Sequence, residues 1–463
     1  MTDRKPLVER ISEYALQLRY EDITPEALQI AKWLVFDSIG TGLGGYQTPL
    51  GKKTVSFVEA TQAGDQATLL GSGGKATLGG AAFGNATMIK ILGMDDSHRS
   101  AGHIASQLIP AVLAVGENRG TSGKALLGTI VAAYDLAVRL GFAVRLSQRQ
   151  RGLDLKGTVG AITAALGAGL CAGLTGETLS HAVALAADMA SGTEQYVYES
   201  GPCDTKDLVA GFGARSGVFA VELAEHGFFG PRGAIDGEYG FLRAFGGGSG
   251  AEVFDDLGES FAITSTAFKP HGGCRHTHQA VDAIQQILAG ADVASHEIER
   301  VVVKTYQYAL QPFFRVDPNP GSREVAGLSI RVASAVALAQ GSAWPHDYRH
   351  WDDPEVRRLR QLVEIEVDPE IEAAYPNQNG CRLEVFLKDG RSYQGYVPYA
   401  KGEPEFRMGE AELREKFTAL TSEILSGERA DELFERCMRL ETLSDIAPLL
   451  QLASGREAVV HAS

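Results

Sequence analysis

The chain has 463 residues, of which 44% are hydrophobic and 22% are charged, and its formal net charge is −15 at pH 7. This globular composition predicts roughly two or three domains with a sizeable core. The acidic balance argues against nucleic acids and anionic membrane surfaces as partners. We expect neither a membrane span nor a signal peptide, and five isolated cysteines favour a reducing cytoplasm.

The amino-terminal half has the pattern of packed helices. Thr24 and Pro25 form a helix start with proline at the first helical position, and Ala- and Gly-rich apolar stretches continue to about residue 245. The glycine-rich segment 68–77 imitates a dinucleotide-binding loop, but helix follows it where a Rossmann unit needs a second strand. We therefore predict no nicotinamide cofactor.

The pattern changes after about residue 262, where β-branched runs alternate with helical ones. Asp389 and Gly390 form a hairpin turn inside the last of these runs. After Pro404 the helical pattern returns. The predicted strands are 298–308, 363–367 and 383–397, and the predicted helices between them are 277–289 and 324–340.

These patterns together predict an α+β multidomain fold. A large all-helical domain would contain both ends of the chain, residues 1–264 and 401–463. A smaller α/β domain, residues 265–400, would be inserted before the C-terminal helices. The two helical parts must then meet in space although the inserted domain separates them in sequence.

Residues 269–278 are the densest group of chemically active side chains in the sequence. They precede a run with helical spacing, for which Thr277 is the predicted N-cap. Unpaired N–H groups and the positive end of the helix dipole favour an anion there. The segment is either a solvated basic loop or, as we predict, a substrate-anion site that includes Lys269, Arg275, His276 and His278.

A second cluster, Asp95, Asp96, His98 and His103, lies in the segment 95–103. Two adjacent carboxylates push their pKa values apart, and a nearby histidine can act as acid or base near neutral pH. The same residues could hold a divalent metal, but the sequence signals no further ligands. We therefore predict no metal and assign His103 as general base or acid, with Asp96 orienting it.

Two further positions have two interpretations each. Lys206 lies close to a predicted helix start, against the usual charge preference, which suits an anion site or a solvated lysine. Tyr306 and Tyr308 lie near the end of a predicted strand, where alternation puts them on one face. They are either core residues or hydrogen-bond donors to a substrate.

Four segments together resemble the MmgE/PrpD family, which includes 2-methylcitrate dehydratase, cis-aconitate decarboxylase and iminodisuccinate epimerase. They follow the family's order over nearly the whole chain. The resemblance implies a large helical and a smaller α/β domain with the active site between them, usually in a homodimer, and no metal or organic cofactor. The segments are 36–40, 82–117, 206–230 and 268–283.

The resemblance also implies which side chains form the site. Four positions depart from the family pattern: Gly93 replaces an acid, Ile104 a proline, Asp154 a histidine, and Cys274 a histidine of the decarboxylase branch. These departures weaken the expectation of a methylcitrate or cis-aconitate substrate but leave the family assignment in place. The positions that match are Asp96, Ser97, His103, Lys206, Lys269, Cys274, His278 and Tyr308.

We predict a cofactor-independent lyase of the dehydratase type that acts on a small di- or tricarboxylate. A base removes the proton next to a carboxylate, and cations stabilise the enolate-like charge. The alternatives are a two-base epimerase, a decarboxylase of a cis-aconitate-like acid, and an inactive relative that binds anions. The predicted catalytic residues are His103, Asp96, Lys269 and Tyr308, and the predicted substrate-binding residues are Ser97, Asp154, Lys206, Cys274, Arg275, His276 and His278.

Overall fold

The structure, a computed structural model, describes residues 5–199, 203–248, 250–311, 320 and 323–455. It is mostly helical with two small sheets, and the predicted α+β class is confirmed. The elements before residue 250 are α1 (Leu7–Gln17), α2 (Pro25–Tyr46), α3 (Pro49–Thr61), β1 (Ala63–Thr68), β2 (Lys75–Ala76), α4 (Leu78–Ile91), α5 (Ala105–Arg119), α6 (Gly123–Gln150), α7 (Val159–Cys171), α8 (Gly176–Asp188), α9 (Thr205–Glu225) and α10 (Phe241–Gly246).

Local sequence determines where several of these helices begin. The Thr24 side chain accepts a hydrogen bond from the helix backbone and Pro25 occupies the first turn, so the predicted start of α2 is confirmed. Thr48, Thr77 and Ser122 cap α3, α4 and α6 in the same way. These side chains satisfy amide groups that a helix leaves unpaired at its start.

Helix α6 is long and apolar enough to cross a membrane by length and composition. However, 78% of its apolar window is buried inside the protein, where Leu126, Ile130 and Leu140 are part of the larger hydrophobic core. A core helix passes the same test as a membrane span. Its apolar character is therefore explained by packing within this fold.

A four-stranded mixed sheet organises the second part of the chain. Its strand order is β4-β3-β5-β6, with only β3 and β4 parallel, and α11 packs across β5 and β6 to form a second hydrophobic core. The elements are α11 (His278–Gly290), β3 (Ile298–Thr305), α12 (Arg323–Ala326), α13 (Ile330–Gln340), α14 (Pro354–Gln361), β4 (Val363–Val367), α15 (Pro369–Ala374), β5 (Cys381–Leu387) and β6 (Ser392–Val397).

Two predicted elements differ from the observed ones. The run 324–340 contains two helices, because the Ser329 side chain accepts from the amide three residues ahead and starts α13 anew. Strand β3 ends at Thr305, so both tyrosines lie beyond it: Tyr306 precedes a short 3-10 turn and Tyr308 lies on it. The prediction that strand alternation aligns these tyrosines is therefore wrong.

Thr277 occupies the predicted N-cap position of α11, but its side chain does not cap the helix. The Thr277 hydroxyl donates to the Cys274 carbonyl at 2.8 Å instead of accepting from the helix. Residues 275–277 already form a 3-10 turn that leads into α11, so Thr277 has helical backbone angles. The segment 269–278 nevertheless precedes a helix, as predicted.

The chain finally returns to the first core through α16 (Glu410–Thr421), α17 (Gly427–Met438) and α18 (Ala447–Leu452). The ring of Phe36 in α2 stacks on Phe417 of α16 at 4.2 Å and meets Phe434 of α17 edge-on at 5.2 Å. Aromatic pairs of this kind add to the stability gained by burial. Both ends of the chain thus contribute to one core, while the predicted boundaries at residues 264 and 400 stay predictions.

Candidate active site

Two chain segments cross where the helical part meets the sheet-containing part. The Ser97 amide donates to the Ala267 carbonyl at 2.9 Å, and the Ala267 amide donates back at 2.8 Å. Beside this bridge, the buried Lys416 of α16 donates to the Met94 carbonyl at 2.7 Å. The bridge brings the motifs 95–103 and 269–278 together into one site, although they lie far apart in sequence.

Two glycines permit this crossing. Gly93 has a φ of 63° and Gly273 a φ of 84°, which is left-handed backbone that glycine adopts without strain. A Cβ atom at position 93 would lie 3.2 Å from the Gly273 nitrogen, closer than side chains usually pack. Close backbone packing therefore occupies the position where the family resemblance implies an acid.

His103 is held through one ring nitrogen. Its Nδ1 lies 2.7 Å from the Asp96 carbonyl oxygen and 3.3 Å from Oδ2 of Asp95. Both oxygens are acceptors, so we assign the proton to Nδ1, which leaves a lone pair on Nε2. Burial lowers the pKa of His103 well below its ordinary value, and the 24% of the side chain that stays exposed moderates this effect. The imidazole is therefore a neutral base.

The carboxylate beside His103 belongs to Asp95. It also accepts from Lys90 Nζ at 2.9 and 3.2 Å, and both side chains are buried. Burial alone would raise the pKa of Asp95, but His103 and the Lys90 ammonium hold it below its usual range. Asp95 is therefore a lasting negative charge that can stabilise a protonated His103.

The carboxyl group of Asp96 has a different role from that of Asp95. Its carboxyl group accepts from the Ala105 amide and the Tyr134 hydroxyl, each at 2.9 Å, and so caps α5. Burial and the adjacent Asp95 charge raise the pKa of Asp96 to about 7. The two neighbouring carboxyl groups thus have pKa values that are pushed apart. Asp96 orients His103 through its main-chain carbonyl.

Lys269 is the most isolated cation of the site. It is 1% exposed, and its ammonium donates to the Gly273 carbonyl at 2.7 Å. Within the described ranges, no carboxylate oxygen lies within 4.0 Å of Lys269 Nζ. Burial and the nearby Lys90 lower the pKa of Lys269 to about 7. This lysine can therefore bind a carboxylate as a cation or give up a proton near neutral pH.

Lys269 belongs to a group of four lysines whose charges act on one another or on His103. The other three each have a carboxylate partner. Lys269 differs from them because, among the described residues, it has no carboxylate within 4.0 Å, so its charge is available to attract an anion when it is protonated. The pairs are Lys90 with Asp95 at 2.9 Å, Lys156 with Asp154 at 2.8 Å, and Lys206 with Asp207 at 3.1 Å.

A cavity of about 450 Å³ opens beside this lysine cluster. Its lining includes Gly93, Gly273 and Lys206, and its volume is sufficient for a small carboxylic acid. Lys206 lies in the first turn of α9, inside the helix that the sequence placed after it. Of the predicted site residues, only Lys206 is among the described lining residues; Lys269 adjoins the cavity through its bond to Gly273.

His276 and Tyr308 belong to an aromatic cluster. His276 Nδ1 is hydrogen-bonded to the Tyr306 hydroxyl, and its ring centroid lies 5.4 Å from that of Tyr308. Tyr375 stacks on both tyrosines at 4.6 and 5.8 Å. Burial and the charge of Arg149 lower the pKa of His276 to about 3, so this imidazole is neutral. The two tyrosines share one cluster because of the 3-10 turn.

Arg275 is engaged in an ion pair inside the protein, whereas both ring nitrogens of the buried His278 lack a hydrogen-bond partner among the described residues. Arg275 forms a buried ion pair with Glu403, whose other oxygen lies 3.3 Å from Arg99 Nη2. His278 is fully buried, and its ring meets that of His271 edge-on at 5.2 Å. These contacts do not direct either side chain to the cavity. A substrate-binding role for Arg275 and His278 stays a prediction.

The remaining predicted site residues are Asp154, Ser97 and Cys274. The Asp154 carboxylate accepts from both nitrogens of Lys156 and from the Tyr196 hydroxyl at 3.0 Å. Ser97 is buried, and its backbone forms the bridge described above. Cys274 is half-buried and follows the cavity-lining Gly273. The Asp154 carboxylate thus already accepts hydrogen bonds from other protein groups, whereas Cys274 is close to the cavity.

The sequence analysis missed two charged residues of this site. Lys90 is 4% exposed within the Ala- and Gly-rich apolar helix α4, and a lone charge in such a helix was the available signal. Lys156 is 7% exposed and lies two positions after Asp154, in a loop without a motif. Only the folded structure reveals that the charges of both lysines act on His103.

Asp95, Asp96 and His103 place possible metal ligands within 4.8 Å of one another. The chemistry of these donors argues against an ion. The Lys90 ammonium already neutralises Asp95 at 2.9 Å, and the Asp96 carboxyl group accepts from the protein. A cation here would face that ammonium at close range. We interpret the three residues as acid–base groups.

We therefore expect activity to survive removal of metal ions. Prolonged dialysis against EDTA should leave the initial rate unchanged, because the Lys90 ammonium supplies the positive charge beside Asp95. Elemental analysis of the dialysed protein would verify the removal, and a known zinc hydrolase treated in parallel would verify the chelator. Loss of activity that a divalent ion restores would contradict this interpretation.

The protein is mostly helical and has two parts, and buried lysines, carboxylates and His103 lie where the two parts meet. The MmgE/PrpD N-terminal domain matches residues 9–253, and the MmgE/PrpD C-terminal domain matches residues 271–440. The chain belongs to the MmgE/PrpD family, and the resemblance inferred from its motifs is confirmed.

Curated relatives resemble the chain over nearly its full length. The cis-aconitate decarboxylase-like protein oryM of Aspergillus oryzae is 27% identical and covers 98% of this chain and 99% of its own. Cis-aconitate decarboxylase of Aspergillus terreus is 26% identical, over 96% and 94%. Human cis-aconitate decarboxylase is also 26% identical, over 97% and 95%.

Proposed function

We propose that the protein is a cofactor-independent lyase of the dehydratase type, acting on a small di- or tricarboxylate. The observation that carries this proposal is a neutral His103 beside the Asp95 carboxylate and within reach of the charge of a lysine cluster. The relatives support an enzyme that acts on carboxylates, since their names describe a tricarboxylate substrate.

His103 would begin the reaction. Its Nε2 takes the proton from the carbon next to a substrate carboxylate, and the electrons of that bond form a carbon–carbon double bond as hydroxide leaves the neighbouring carbon. Protonated Lys269 gives the departing hydroxide a proton, so that water and an alkene are the products. Asp95 stabilises the imidazolium, and the lysines stabilise the negative charge that develops on the carboxylate.

A decarboxylase is the second candidate, because the curated relatives named above carry that activity in their names. In this case carbon dioxide leaves, its bonding electrons stay on the substrate carbon, and an acid of the site protonates that carbon. Cys274 replaces a histidine that the resemblance implies for the decarboxylase branch, and this replacement is our reason to place dehydration first.

A panel of di- and tricarboxylates incubated in deuterated water and followed by NMR tests these reactions. Formation of an alkene with loss of water supports the proposal. Carbon dioxide release with deuterium on the carbon that carried the lost carboxylate identifies a decarboxylase, and deuterium exchange without a new product identifies an epimerase. Binding of carboxylates without turnover or exchange would identify an inactive relative and contradict all three.

The pH dependence of kcat/KM should report Lys269. Because burial and Lys90 lower its pKa to about 7, the free enzyme loses this charge as the pH rises through 7, and kcat/KM should fall there. Lys269→Arg stays protonated, so the fall should disappear in that variant while some activity remains. A fall that persists in Lys269→Arg would assign it to another group, such as Asp96, whose pKa is also about 7.

We also propose that the protein forms a homodimer and works in the cytoplasm. Exposed aromatic side chains on α3 and α9 support an association surface, since Phe57, Phe212 and Phe219 are 51%, 43% and 49% exposed. Phe57 and Phe212 both pack on Phe83 and so share one face. The five cysteines are unpaired, which suits a reducing compartment.

A further inference from the structure

We propose that Lys156 binds a substrate carboxylate and that Asp154 is its positioning residue. This inference rests on the proposed function, because it names a second cation for the same polycarboxylate. It reverses the prediction for the loop 152–158, in which Asp154 itself was assigned to the substrate.

Lys156 is fixed by three contacts with two neighbours. Its ammonium donates to Asp154 Oδ2 at 2.8 Å, lies 3.5 Å from the Tyr196 hydroxyl, and lies 5.6 Å from the centroid of the Tyr196 ring. Asp154 Oδ1 accepts from the Lys156 amide at 2.9 Å, so one carboxylate holds both ends of the lysine. A flexible side chain held in this way loses little further entropy when an anion binds.

One donor of this ammonium remains available. An ammonium group has three N–H donors, and two of them are directed to Asp154 and Tyr196. In the described part of the chain, no third acceptor lies within hydrogen-bonding distance of Lys156 Nζ. Since only 9% of the side chain is exposed, bulk water reaches it poorly. A carboxylate oxygen would satisfy this donor with a charge-assisted bond.

The loop that carries Lys156 lies against the turn that carries His103. A Cβ atom at Gly102 would lie 3.9 Å from Cδ1 of Leu155, so the residues next to Lys156 and His103 lie close together. A Cβ atom at Gly213 of α9 would lie 2.3 Å from the Lys156 carbonyl oxygen and 3.4 Å from the Gln107 side chain of α5. In agreement, the Lys156 charge contributes to the low pKa of His103 and of Lys90.

The competing explanation is that Lys156 and Asp154 form an ion pair with a purely structural role. The charges around the pair distinguish this explanation from substrate binding. Lys156 and Asp154 neutralise each other, yet the Lys156 charge acts on Lys90, itself paired with Asp95, and Lys90 acts on Lys269, which has no carboxylate within 4.0 Å among the described residues. Stability alone would not place another cation here, because like charges in a buried region repel strongly. An incoming polycarboxylate removes this repulsion. With Lys269 it would meet two separate cations, which selects for acids with more than one carboxylate.

The test uses propane-1,2,3-tricarboxylate, which has no hydroxyl group to eliminate, as a binding probe in calorimetry. Lys156→Met should weaken its binding roughly tenfold or more, which is the worth of one hydrogen bond to a charged group. Lys156→Arg should retain most of the affinity. In turnover assays, Lys156→Met should raise KM far more than it lowers kcat. Asp154→Asn should weaken binding less than Lys156→Met does.

The controls separate this inference from the proposed function and from folding. Melting temperatures of all variants identify a change that merely unfolds the protein, and Lys156→Gln replaces Lys156→Met if the latter does not fold. Wild-type protein that turns over carboxylates, with Lys156→Met binding the probe within twofold of wild type, overturns the role of Lys156 alone. Wild-type protein that neither binds nor converts any carboxylate overturns the proposed function as well.

Discussion

His103→Ala is expected to lower kcat by roughly 10²–10⁴-fold, the usual contribution of a positioned acid or base. The reason is local: Nδ1 is held by the Asp96 carbonyl and faces Asp95, so the imidazole presents Nε2 as a neutral base. Alanine removes that base and leaves the lysine cluster in place. Steady-state kinetics on the substrate found in the NMR panel measures the loss, and KM should change little.

A matched control is available within the chain. His226 also has its Nδ1 near a main-chain carbonyl, that of Glu222 at 2.8 Å, but it lies exposed at the end of α9. His226→Ala should retain the wild-type rate. A His103→Ala enzyme with normal kcat would refute the proposed base and leave the family membership untouched. Equal losses in both variants would point to a general effect of histidine removal.

Lys269→Met is expected to affect substrate binding most. Removing one partner of a buried, hydrogen-bonded charge pair costs about 2–5 kcal/mol, and 2 kcal/mol corresponds to roughly 30-fold in affinity. Lys269 is 1% exposed and has no carboxylate of the described chain within 4.0 Å, so a substrate carboxylate would be its ionic partner. KM should therefore rise by roughly 30-fold or more, and kcat should fall as well if Lys269 also donates the proton.

Lys124→Met provides the comparison, because the Lys124 side chain is 55% exposed and pairs only loosely with Glu21 at 3.8 Å. That variant should keep the wild-type KM. Calorimetric titration of Lys269→Met with propane-1,2,3-tricarboxylate separates binding from chemistry. Unchanged affinity together with a large loss of kcat would assign Lys269 to proton transfer alone, and unchanged KM and kcat would remove it from the site.

The tertiary structure changes the roles of several side chains that the motifs identified. The sequence showed two adjacent aspartates near His103, but it gave no means to tell which carboxylate the imidazole faces. The structure assigns that position to Asp95, because the Asp96 carboxyl group is used by the first amides of α5 and by Tyr134. A choice between neighbours depends on backbone direction, which a motif does not encode.

Arg275 and Lys156 show in two ways that the sequence does not reveal which charged side chains meet in the fold. Arg275 belongs to the most cationic segment of the sequence, yet it pairs with Glu403, a residue far along the chain that no local pattern connects to it. Lys156 had no motif around it, yet it lies in the lysine cluster. The sequence shows where each charged residue lies along the chain. Which opposite charge neutralises it depends on the partners that the fold brings close from distant segments.

By itself, the sequence determined the fold class, the family and the composition of the two motifs that meet in the site. These follow from signals that are local in the chain, namely helical spacing, the Thr24-Pro25 start, and strings of acidic, basic and imidazole side chains. Only the tertiary structure decided which of those side chains face one another. The bridge between Ser97 and Ala267, and the packing of Gly93 on Gly273, join segments far apart in sequence, and that contact brings His103, Asp95 and Lys269 into one candidate site.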